Sequence, residues 1–104
     1  MKEPAQCESL ADIRAAIDAI DEQVIALLGK RAQYVKAAAH FKNSQADVAA
    51  PERFVAMLAA RRAWAEREGL SADIIEQIYR DLVSYFIACE QEHWQARRPP
   101  APLP

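Results

Sequence analysis

Glycine occurs only twice in the 104 residues, cysteine twice, and aromatic side chains make up 8% of the chain. So little glycine leaves few of the tight turns and bulges that multistranded sheets use. A 52% hydrophobic composition rich in alanine, leucine, glutamate and arginine favours an all-helical domain instead. Cys7 and Cys89 stand far apart, with no CxxC and no histidine spacing suited to zinc; His40 and His93 are isolated. All four read as structural or solvent-facing groups, and no metal site is expected. A net charge of −2 lacks the basic surface of a general nucleic-acid binder. No stretch approaches about 18 consecutive apolar residues, and the opening MKEPAQCESL has no apolar signal-peptide core. These absences point to a cytoplasmic protein with reduced thiols and no membrane partner. Four of the six prolines fall in the terminal RRPPAPLP, so residues 98–104 read as a disordered tail behind a single helical domain at 1–97.

What is present is a long apolar seam with one arginine in it. From Leu10 to Phe41 the seam runs Leu10, Ile13, Ile17, Ile20, Val24, Leu27, Arg31, Tyr34, Ala38, Phe41, in alternating steps of three and four. Arg31 takes a slot where the pattern calls for a hydrophobe. A guanidinium cannot shed its charge, so at a seam position it needs an anion, supplied by the protein or by a ligand.

The spacing predicts three helices. The first is capped by Ser9, with Asp12 completing a capping-box pattern, and extends to about Lys42. Asn43 to Ala50 reads as a loop. Pro51 opens a second helix that runs to about Glu68 and stops at Gly69. Ser71 caps a third, which runs to about Arg97. The first helix, at about 33 residues, spans roughly 50 Å. A compact chain of this length has a radius of gyration of only about 13 Å. An intertwined homodimer, with the long helices covering each other's seams, is therefore expected; a monomeric bundle kinked near Gly29 is the alternative.

Most charges, including Asp18, Glu22, Arg61, Arg62, Arg67 and Glu68, read as solvated. Four cations do not. Lys42, eleven residues beyond Arg31, projects about 16 Å further along nearly the same helix face. Arg14 lies about 25 Å from Arg31 along one helix, so only an antiparallel partner brings it to the same small molecule. Arg53, in the first turn of the second helix, closes the set. On the third helix the apolar face Tyr79, Val83, Phe86, Ile87, Trp94 also contains Glu90, so its carboxyl should face inward with a raised pKa unless cations counteract it. These groups describe a receptor for a small dianion, because arginines hold carboxylates through paired hydrogen bonds. An internal Glu90–Arg31 salt bridge in a non-catalytic dimerisation module fits the same pattern.

The stretch LADIRAAIDAIDEQVIALLGKRAQYVKAAAHFK, followed by APERFVAML, resembles the all-helical chorismate mutase superfamily. The opening MKxPxxC, the YVKAA…FK segment and the WAExxGL turn are similar to its isochorismate pyruvate-lyase branch, over about residues 1 to 94. The resemblance implies three helices per chain in an intertwined dimer with two shared sites and no cofactor. It puts Arg14 in the partner's site and Arg31, Lys42 and Arg53 in the chain's own. The three arginines would hold two carboxylates, and Lys42 would stand at the ether oxygen of the breaking C–O bond, beside a lid formed by Asn43 to Ala50. The implied reaction takes isochorismate to salicylate and pyruvate, with chorismate as a poorer substrate rearranged to prephenate. The lyase branch usually has glutamine where Glu90 stands; some chorismate mutases have glutamate. A true chorismate mutase is thus the second implied activity.

Overall fold

Serine hydroxyls and one glycine set the helix boundaries. Ser9 Oγ accepts from the Asp12 N–H at 3.1 Å, while the Asp12 carboxylate reaches back to the Glu8 N–H at 3.0 Å and to Lys2 Nζ at 3.0 Å. The capping exchange is therefore reciprocal but closes one residue earlier than a capping box would. Those bonds, the Glu8 amide first and Lys2 second, hold the Asp12 carboxyl below the usual carboxylate range. Ser71 Oγ accepts from the Ile74 N–H at 3.3 Å. Gly69 adopts φ +74°, and Leu70 N–H returns to the Ala65 carbonyl at 2.8 Å, the left-handed helix stop that favours glycine.

The computed structural model describes residues 2–97; the stretch 98–104, read above as a disordered tail, lies outside the described residues. A 3-10 turn at Pro4–Gln6 precedes α1 (Leu10–Ala38), a second 3-10 turn (Ala39–Phe41), α2 (Gln45–Ala49), α3 (Pro51–Arg67) and α4 (Ala72–Arg97). Among the described residues there is no strand. The all-α expectation holds, with three long helices and one additional single-turn helix. α-Helical bonding continues through Gly29 and ends at Ala38, four residues before the expected stop. The chain then tightens into the 3-10 turn, and Lys42 takes extended backbone, φ −94° and ψ 138°. The projection of Lys42 along the Arg31 face therefore fails, because Lys42 is not helical. The tightening lets Ala39, 1% exposed, pack with Val48 and Trp94, a tertiary gain that outweighs local helix propensity.

The residues read as a loop contain α2. Ser44 Oγ accepts from the Asp47 N–H at 3.1 Å, and the Asp47 carboxylate accepts from the Asn43 N–H at 3.0 Å. α2 ends at Ala50 in the left-handed region, φ 42°, immediately before Pro51 opens α3. A following proline disfavours right-handed helical backbone at this position, so the turn into α3 is made here at a steric cost.

The chain divides into two units within α1, after Tyr34. In the second unit, α3 and α4 form a hairpin around Met57, Leu58 and Val83, flanked by Phe54, Tyr79 and Ile87. Ile87 also joins the Ala39–Val48–Trp94 cluster, which docks the second 3-10 turn and α2 on the C-terminal half of α4. Arg61 and Arg62, expected to be solvated, are half-buried. The Arg61 guanidinium lies 4.7 Å from the Trp64 ring centroid and 5.6 Å from that of Tyr79. Arg62 bridges Asp73 at 2.9 Å and Glu76 at 3.0 Å across the hairpin. In the first unit the α1 seam stays uncovered: Leu10, Ile17, Ile20, Val24, Leu27 and Tyr34 are exposed, and no α1 residue is fully buried.

Replacing Ala50 with glycine should remove the left-handed strain and raise stability by about 0.5–1 kcal/mol, net of the extra freedom glycine gives the unfolded chain. Urea unfolding at fixed protein concentration measures it; a loss of stability would mean that the Ala50 backbone is unstrained.

Candidate active site

Glu90 lies on the inner face of α4 with Val83, Phe86 and Trp94, as the helical spacing requires. It is the one buried charged residue among those described, at 6% exposure. Among the described residues its Oε1 has no hydrogen-bond partner, and it stands 3.8 Å from Lys42 Nζ, too far for a hydrogen bond. Loss of water raises the carboxyl's pKa, and the facing Lys42 cation pulls it back only in part, so the shift is upward. Glu90 thus holds on to its proton to higher pH than an exposed glutamate does.

Lys42 is held from several sides. Its N–H bonds the Ala39 carbonyl at 3.3 Å, and its carbonyl accepts from the Trp94 indole N–H at 3.0 Å. Its ammonium donates to the Asp47 carbonyl at 2.9 Å and faces Glu90. The capped α2 turn therefore supplies the oxygen that steadies the ammonium. Lys42 and Glu90 thus set a cation against a buried carboxyl of raised pKa.

Arg53 is exposed in the first turn of α3. Arg14 is exposed and Arg31 half-buried, both on the part of α1 that belongs to the first unit. Three participants escaped the sequence reading: Trp94 as a donor to Lys42, Asp47 as an acceptor, and the His40–His93 edge contact, ring centroids 6.1 Å apart, beside them. The Ser44–Asp47 spacing, a serine three residues before an aspartate, was the available signal for α2. Nothing local could reveal a bond spanning 52 residues.

The chain belongs to the chorismate mutase type II family, whose model matches residues 13–91. Among its relatives, the isochorismate pyruvate lyase of Pseudomonas aeruginosa is 46% identical over 98 residues, covering 94% of this chain and 97% of that protein. The T-protein of Haemophilus influenzae is 40% identical over 86 residues, 82% of this chain. The T-protein of Enterobacter agglomerans is 36% identical over 75 residues, 71% of this chain. The matched region makes up 23% and 20% of those two longer proteins.

A carboxyl whose folded-state pKa lies above its unfolded value binds more protons folded than unfolded as pH rises past about 4.5. Its contribution to stability is intact below that value and is lost as pH climbs through the raised folded pKa. Glu90→Gln cannot ionise, so its melting temperature should gain on the parent's as pH rises above about 4.5 and level off once the parent's Glu90 is ionised. A gap that stays constant or moves the other way would mean that Lys42 outweighs burial and Glu90 is ionised.

Proposed function

We propose that this protein is an isochorismate pyruvate-lyase. The reading is carried by one observation: a lysine ammonium facing a buried, unbonded carboxyl, in a chain similar over nearly its whole length to a protein of that name. In the proposed reaction the ring hydrogen of isochorismate passes to the enolpyruvyl methylene as the C–O bond breaks, giving salicylate and pyruvate. The electron reorganisation is internal to the substrate and calls for no cofactor. The protein's work is to hold the reactive conformer and to stabilise charge growing on the ether oxygen. Lys42 and a protonated Glu90 serve that oxygen, while Arg31, Arg53 and the partner's Arg14 hold the two carboxylates. Asn43 to Ala50, with α2 inside it, acts as the lid.

That assignment includes a homodimer of single-domain chains. The support is the α1 seam, whose exposed leucines, isoleucines, valine and tyrosine form an apolar stripe longer than solvent tolerates on a stable helix. A second copy carries the same stripe and covers it. No described helix is long and apolar enough to cross a membrane. The proposed assignment is of a cytoplasmic enzyme feeding a salicylate-derived siderophore. Chorismate, with the same two carboxylates, would be rearranged slowly to prephenate. A true chorismate mutase is the second reading, favoured by Glu90 in place of the lyase branch's usual glutamine.

Purified protein given isochorismate and chorismate in separate assays should form salicylate, followed by its fluorescence, far more efficiently than prephenate. The reverse ratio makes it a mutase. No turnover of either substrate, with Arg31→Ala still folded and dimeric, leaves a non-catalytic dimerisation module. Lys42→Ala and Arg31→Ala should each lower kcat/KM by about 100-fold or more, as expected when a charged contact to the transition state is lost.

The proton on Glu90 has its own signature. kcat/KM should fall as pH rises through neutrality, and Glu90→Gln should abolish most of that fall. A flat profile in the parent enzyme would reject the protonated carboxyl.

A further inference from the structure

Lysine is a poor tool for placing charge, since its ammonium sits on a flexible four-carbon stem. A lysine rooted in a helix at least has a fixed base. Lys42 lacks that, because α1 ends at Ala38 and the Lys42 backbone is extended, four residues beyond the helix. Its position must be set by tertiary contacts. The indole N–H of Trp94 supplies one, donating to the Lys42 carbonyl at 3.0 Å. The indole is itself immobilised: Trp94 is 9% exposed and packs with Ala39 and Val48, the residues on either side of the Lys42 segment.

We propose that Trp94 is a positioning residue for Lys42, fixing the lysine's root through the indole N–H while Glu90, one helical turn earlier, faces its head. Residues 90 and 94 share one face of α4, about 6 Å apart along the axis. The same rigid helix therefore sets the carboxyl, the base of the lysine stem and the direction between them. The Asp47 carbonyl, 2.9 Å from the ammonium, completes the hold from α2. Val48, 2% exposed, ties that turn to the same indole. Trp94 touches no reacting atom in this arrangement, and its effect passes through Lys42. The inference rests on the proposed reading in which Lys42 serves the substrate's ether oxygen.

The test separates the N–H from the ring. Incorporating 3-benzothienylalanine at position 94 keeps the bicyclic shape and replaces the N–H by sulfur. Trp94→Phe removes the donor with a natural residue. Both proteins should remain folded and dimeric, with melting temperatures within about 5 °C of the parent's for the benzothienyl protein. KM for isochorismate should change less than about twofold, since the arginines bind the substrate, while kcat falls about tenfold or more from misplacement of the ammonium. Unchanged kcat in the benzothienyl protein would overturn the proposal and leave Trp94 a packing residue. A joint loss of kcat, KM and stability would do the same. A second readout is independent of turnover. With Lys42 loosened, the Glu90 carboxyl loses part of the cation that holds its pKa down, so its titration, followed by 13C NMR of labelled glutamate, should move upward. If the parent turns over neither substrate, the proposed function fails and this titration alone decides: an upward shift sustains the positioning role, and an unmoved Glu90 ends it.

Discussion

The docking of residues 39–50 on the C-terminal half of α4 is the contact on which the candidate site depends. Ala39, Val48 and Trp94 form one small buried cluster, and Ile87 links it to the α3–α4 core. That cluster ends α1 early, turns Lys42 out of the helix, and sets its ammonium against Glu90. Small residues matter here. Ala39 at 1% exposure has no room for a larger side chain, and any growth there would push the 3-10 turn, and Lys42 with it, off α4.

Glu90 and Lys42 balance two opposed effects. Burial disfavours the carboxylate, and the cation favours it; at 3.8 Å, with no hydrogen bond, burial prevails. A closer pair would neutralise both groups and leave nothing to offer a ligand. The separation leaves the carboxyl's pKa raised, the direction in which the proposed reaction needs it to stabilise an ether oxygen. α2 contributes by presenting the Asp47 carbonyl, a neutral acceptor that steadies the ammonium without discharging it.

Much of this was readable in the residues. Helix starts at Ser9 and Ser71, the stop at Gly69 and the proline opening α3 came from local capping chemistry, which acts over three or four residues. Glu90 facing inward followed from its place between Ile87 and Trp94, and burial confirms the periodicity. The end of α1 did not follow. Nothing between Ala38 and Lys42 breaks a helix by propensity, and the break comes from packing against a helix about fifty residues away. Arg61 was misplaced for a related reason, since its shelter comes from the Tyr79 ring on the opposite helix as well as from Trp64 on its own.

The sequence by itself determined the all-helical class, the long apolar seam of α1 and the inward carboxyl of α4, because each arises from periodicity within a single helix. The tertiary structure alone decided where Lys42 stands and what holds it. Its backbone is extended, its carbonyl is claimed by Trp94 across 52 residues, and its ammonium lies between Asp47 and Glu90. Those partners lie on three separate segments, and only the burial of Ala39, Val48 and Trp94 together brings them to one point.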